Sequence, residues 1–151
     1  MKLTFSYLLV IIVACLWVSC KQEQDYKTLR SEVVARHDKV MNDADLANSQ
    51  KAVLDSIYRS VKSSGNKPDI LVDSVTLIEV ISGIEEANQQ MESWMNHFDP
   101  DISGKSEREA LDYFKVELKK INNLDRQFKA AIVRSDRYLD SLHIEKRKAL
   151  H

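Results

Sequence analysis

Apolar positions recur along this chain at steps of three and four, in three long stretches. From Leu77 to Phe98 the row Leu77, Ile81, Ile84, Asn88, Met91, Met95 and Phe98 forms an unbroken heptad seam. Val80, Ala87 and Trp94 repeat every seven residues beside it and widen the apolar face. A stripe that broad must be buried against other helices. The pattern therefore predicts a middle helix, starting between Pro68 and Asp73 and ending at Phe98. Before it, Tyr26, Leu29, Val33, His37, Val40, Ala44, Ala47, Lys51, Leu54, Tyr58 and Val61 keep one helical phase. Asn42-Asp43-Ala44-Asp45 are poor helix formers, but the stripe crosses them in phase, so one helix from about Asp25 to Ser63 is expected. After it, Leu111, Phe114, Leu118, Ile121, Asp125, Phe128, Ile132, Ser135, Leu139 and Leu142 mark a third helix of roughly 60 Å. Asp125 interrupts that seam; Leu124 is placed to fill the layer while Asp125 pairs with Lys129 one turn on.

The punctuation agrees. The chain has three glycines and two prolines. Gly65 and Pro68 bracket one turn, and Pro100 and Gly104 bracket another. Nothing comparable stands near Asn42. Ser106-Glu107-Arg108-Glu109 reads as a capping box opening the third helix. Gly83, inside the middle helix, predicts a close helix contact there. The expected fold is all-α: an elongated antiparallel three-helix bundle with coiled-coil-like packing. A four-helix up-down bundle broken near Asn42 is the alternative.

The N-terminus adds an address. Lys2 precedes an apolar run from Leu3 to Val18, the form of an export signal too short for a typical span. It ends at Ser19-Cys20, where a lipoprotein signal would be cut and the cysteine acylated. Ile12-Val13-Ala14-Cys15 is a competing box, but the polar region begins at Lys21, which favours Cys20. The expected layout is a signal peptide over 1–19, a lipidated Cys20 and polar tether over 20–24, and one helical domain over 25–151. More than one acyl chain would hold such a protein stably on a membrane. Both cysteines lie in this leader, so the body has no disulfide and no thiolate metal site.

Charge narrows the partners. The formal net charge is −1 with the signs interspersed, and no basic run with interleaved aromatics suggests nucleic acid. Lys146-Arg147-Lys148 complements a helix C-terminus. There is no cysteine nucleophile in the body, no glycine-rich phosphate loop and no His-Glu-x-x-His, so no enzyme is expected.

Val33-Val34-Ala35-Arg36-His37-Asp38-Lys39-Val40-Met41 and Met91-Glu92-Ser93-Trp94-Met95-Asn96-His97-Phe98 together resemble a family of small Bacteroidetes lipoproteins. These often carry the label "viral A-type inclusion protein", which reflects coiled-coil-like composition and implies no viral role. An aromatic residue at the position of Trp17 is similar to signals of lipoproteins from that group. The resemblance covers most of the chain beyond the leader and implies a helical lipoprotein with no established activity. After Phe98 the family tends to have Lys-Pro or Ala-Pro, whereas this chain has Asp99-Pro100-Asp101, so no role for that loop carries over.

Two constellations invite chemistry. Antiparallel pairing would gather His37, Met41, Met91, Trp94, Met95, Leu111 and Phe114 in one layer. This is either a haem or divalent-metal pocket with His and Met ligands or a core layer in which methionine packs beside aromatics. Covalent haem lacks its Cys-x-x-Cys-His. Asp99, Asp101 and Ser103, with Gly104 and with Glu107 as a substitute distal ligand, match the first half of a calcium loop; Ala110 stands where the bidentate Glu belongs. The same residues also make an ordinary turn. Asn88 is expected to fix register. His97 is a partner for a helix C-terminus, and His143 and His151 are expected to be solvated.

The functional expectation is a non-enzymatic cell-envelope lipoprotein, held by Cys20 at the outer membrane, that binds or scaffolds protein through a bundle end or an overhanging third helix. One alternative is a ligand-carrying bundle, with haem or a divalent metal near His37 or calcium at Asp99. The other is a periplasmic chaperone-like bundle with an open apolar groove near Leu139 and Leu142.

Overall fold

The computed structural model describes residues 25–63 and 73–148, with side chains through residue 142. The leader with Cys15 and Cys20, the tether, the Gly65–Pro68 turn, His151 and the side chains of His143 and Lys146–Lys148 lie outside the described residues. Three helices make up the fold: α1 Tyr26–Ser63, α2 Ser74–His97 and α3 Glu107–Lys148. They pack on one another as a three-helix bundle.

α1 runs unbroken through Asn42–Asp45 for 38 residues. Val40, Ala44 and Ala47 are all buried there, while Asn42 and Asp45 point outward. Poor propensity costs a few tenths of a kcal/mol per residue, roughly, and burial of one Val or Leu outweighs it. The four-helix alternative is not what the chain adopts.

α2 opens on Asp73, whose Oδ1 accepts from the amides of Val75 at 3.0 Å and Thr76 at 3.3 Å. The Thr76 hydroxyl also donates to this carboxylate and, with the Thr76 amide, holds it below the usual range. The helix closes at Phe98, whose amide donates to the Trp94 carbonyl. α3 opens on the predicted capping box. The Glu109 amide donates to Ser106 Oγ at 3.3 Å, and the Ser106 amide returns a 2.8 Å bond to Glu109 Oε2.

The buried rows of α2 depart from the predicted seam. Leu77, Ile84, Met91 and Val80, Ala87, Trp94 are buried, as is Ile81, but Asn88 is only half-buried and Met95 is 43% exposed. A 3.6-residue helix rotates by about 20° per heptad against a strict seven-residue repeat. The row that starts at Ile81 thus turns outward along the helix. α2 also packs on both other helices, so its buried face centres between two rows rather than on one. Gly83 is a second correction. A Cβ added there meets nothing within 4 Å, so no close helix contact explains the glycine.

Polar bonds fix the directions. α2 is antiparallel to α1, with Asn88 Nδ2 donating to Asn48 Oδ1 at 2.7 Å and Lys51 Nζ 3.0 Å from Glu85 Oε1. α1 and α3 are parallel: Tyr26 and Asp112 line the same recess at one end, and Gln50 Nε2 donates to Asp136 at 2.6 Å further along. With that offset, the end of α1 falls level with the end of α3. The third helix therefore extends beyond α2 but not beyond α1. Leu139 and Leu142, expected to line an open groove, are half-buried against the core.

Candidate functional site

The predicted His37 layer becomes an aromatic ladder at the end of the bundle nearer Tyr26. His37 stacks on Trp94 with ring centroids 5.5 Å apart, and Trp94 stacks on Phe98 at 4.8 Å. Phe98 then meets Tyr113 at 6.4 Å and Phe114 at 6.5 Å. All three elements contribute: His37 comes from α1, Trp94 from α2 with Phe98 at its C-cap, and Tyr113 and Phe114 from α3. Phe114 is fully buried, Met91 is buried, and Met41 and Leu111 are half-buried against the same core. Met95 does not join them. Its side chain stands on the outward row of α2, so the sulfur available to this layer comes from Met41 and Met91.

His37 itself is half-buried, with Nδ1 3.3 Å from Asp38 Oδ1 beside it. His97 Nδ1 lies 2.6 Å from the Ser93 carbonyl, within its own helix. Its place in the last turn of α2 is the one expected of a C-terminal partner.

Two partners of the ladder escaped the sequence reading. Glu117 is 3% exposed, and its Oε2 accepts from Trp94 Nε1 at 2.8 Å. Its Oε1 lies 2.7 Å from Lys120 Nζ, which satisfies the second oxygen of the buried carboxylate. The row Phe114, Glu117, Ile121 has helical core spacing, and that was the available signal; Leu118, beside it, took the seam position instead. Tyr113 is the second. Its hydroxyl accepts from the Asp99 amide at 2.9 Å, fastening the α2–α3 loop to α3. Burial pushes the Tyr113 phenol up, with the Asp99 amide pulling the other way. Lys105 Nζ lies 5.6 Å from the centroid of the same ring.

The Asp99 loop is built from its own turns. Asp99 Oδ1 accepts from the Asp101 amide at 2.9 Å, and Asp101 Oδ1 accepts from the Ser103 amide at 2.8 Å. The Ser103 hydroxyl bonds the same Asp101 oxygen, and these two bonds, the hydroxyl first, hold the Asp101 carboxyl below its usual range. Gly104 then takes φ +86°, and the Lys105 amide closes the turn on the Ile102 carbonyl at 3.0 Å. One oxygen of each aspartate is thus already committed to the backbone. Glu107 stands in the first turn of α3. Among the described residues, no three or more His, Cys, Asp or Glu gather closely enough to hold a metal ion.

A second polar centre occupies the middle of the bundle. Asp125 is 8% exposed and bonds Lys129 Nζ at 2.6 Å, with Leu124 filling the core layer beside it, the arrangement its spacing predicted. Burial acts to raise the Asp125 carboxyl, but the Lys129 bond, with Lys39 and Arg36 nearby, outweighs it and leaves the group below its usual range. Asp43 Oδ2 and Asp125 Oδ1 are buried without a protein hydrogen-bond partner.

The chain matches no protein-family model, no curated protein and no solved structure. No helix among the described residues is long and apolar enough to cross a membrane.

Proposed function

We propose that this protein is a lipid-anchored cell-envelope bundle that acts by binding or scaffolding other proteins. The observation that carries the reading is the order Lys2, apolar Leu3–Val18, Ser19-Cys20, polar Lys21 onward, followed within a few residues by the start of α1 at Tyr26. A leader of that form supplies an acylation site, and two or three acyl chains suffice for stable anchoring. The helical body offers a packed core, a tightly bonded interhelix loop and mostly polar outer faces. Such a body suits presentation of a surface rather than enclosure of a substrate.

Metabolic labelling with an alkyne-bearing palmitate in a bacterial host tests the anchor. The wild-type chain and Cys15→Ser should take the label and sediment with membranes. Cys20→Ser should lose the label. Label retained by Cys20→Ser and lost by Cys15→Ser would overturn the assignment of Cys20.

A further inference from the structure

The tether end of the bundle carries a recess that no part of the core packing explains. α1 and α3 begin side by side there and enclose an open recess of about 820 Å³. Tyr26 and Leu111, both half-buried against the core, contribute its apolar lining. Its charges balance. Asp112 and Lys115 at its border pair with each other at 3.8 Å. Lys27, Arg108, Asp25 and Glu107 line the remainder and form no ion pair among the described residues. Asp25 uses one oxygen to accept the Lys27 amide at 3.2 Å, as a cap for α1. Two cations and two carboxylates thus stand around one concave space without neutralising one another directly.

Position says what meets this recess. Asp25 lies five residues after Cys20. A fully extended chain spans at most about 3.6 Å per residue, so an acylated Cys20 would hold the recess within about 18 Å of the lipid headgroups. We propose that the recess takes the headgroup of a zwitterionic phospholipid bearing a primary ammonium, a phosphoethanolamine, in the membrane that holds the protein; this rests on the lipid-anchor reading above. Lys27 and Arg108 face the phosphate, and the carboxylates of Asp25 and Glu107 accept from the ammonium. A net anionic headgroup would meet two uncompensated carboxylates. A trimethylated choline has no N–H to give them. Engagement draws the first turns of α1 and α3 onto the membrane and sets the bundle upright on its tether.

Backbone hydrogen exchange on the full chain in maltoside micelles tests this, with glycerophosphoethanolamine, glycerophosphocholine, glycerophosphoglycerol and inorganic phosphate as probes. The phosphoethanolamine should slow exchange roughly fivefold at residues 26–29 and 107–110, with no change at residues 84–91. The other three should have no such effect, and Lys27→Gln with Arg108→Gln should abolish the slowing. Equal protection by glycerophosphoglycerol, glycerophosphocholine or phosphate would overturn the proposal, as would protection that survives the double substitution. The probes act independently of acylation. Protection by phosphoethanolamine in a chain that takes no palmitate would support the recess and fail the anchor; palmitate uptake without protection would fail the recess alone.

Discussion

The aromatic end and the polar middle of this bundle solve opposite problems. Around Trp94, Phe98 and Phe114 the helices meet through rings, and burial of large apolar area supplies the stability. In the middle the apolar core continues through Ala47, Ile84, Ala87, Ile121 and Phe128, and polar bonds edge it: Asn48 with Asn88, Gln90 with Gln127 at 2.8 Å and Gln50 with Asp136 between helices, and Asp125 with Lys129 within α3. The pairs between helices add little net stability, but each is satisfied at only one alignment of its helices. The ring cluster adds large apolar area to a core that runs along the bundle, while the polar bonds between helices make one register cheaper than its neighbours. Glu117 joins the two strategies. It is a buried carboxylate placed inside the ring cluster and held there by Trp94 and Lys120.

That contrast is open to attack from either side. Phe114→Ala, at a fully buried ring, should cost about 3–5 kcal/mol in urea unfolding, the largest loss expected. Glu117→Leu strands the Trp94 indole N–H and should cost about 1–3 kcal/mol. Trp94→Phe added to it should recover much of that loss, because both polar partners are then gone. Equal destabilisation by the single and double variants would show that the bond is not what Glu117 provides. Lys129→Met should cost about 1–2 kcal/mol at neutral pH by stranding the Asp125 carboxylate. The sign with pH follows from the depressed Asp125 group: its contribution is full above its unfolded pKa, near 3.9, and is lost as pH falls through the lower folded value. The gap between wild type and Lys129→Met should therefore close on acidification, and a gap constant from pH 7 to pH 2 would contradict the account. Smallest, Gly83→Ala should raise stability by up to about 1 kcal/mol, since the helix gains propensity and the added methyl meets no neighbour.

Much of the fold was legible because it rests on local rules. The Ser106–Glu109 box, the glycine at Gly104 and the phase of α1 across Asn42 all depend on neighbours within a few residues, and sequence displays these directly. The Asp125–Lys129 bond was legible for the same reason. Met95 was misplaced because a seven-residue count ignores how far a helix has rotated by its third heptad. Gly83 misled because a glycine reports permission for close approach, not the approach itself. At the site, His37 and Trp94 could be paired by counting from a turn. Glu117 was missed although its spacing from Phe114 and Ile121 marked a core position, because a carboxylate in a seam looks like a surface residue until its bond to Trp94 is seen.

An odd number of helices has a geometric result. The chain enters this bundle at Tyr26 and leaves it at Lys148 at the opposite pole. Two or four helices would return the chain to where it began. Three carry it outward by the length of α1, about 57 Å for 38 residues. If the chain is held at Cys20 as proposed, this geometry would make the bundle a stalk. With the proposed anchor at Cys20, the far pole of α3 would stand at a height set by helix length rather than by a flexible linker.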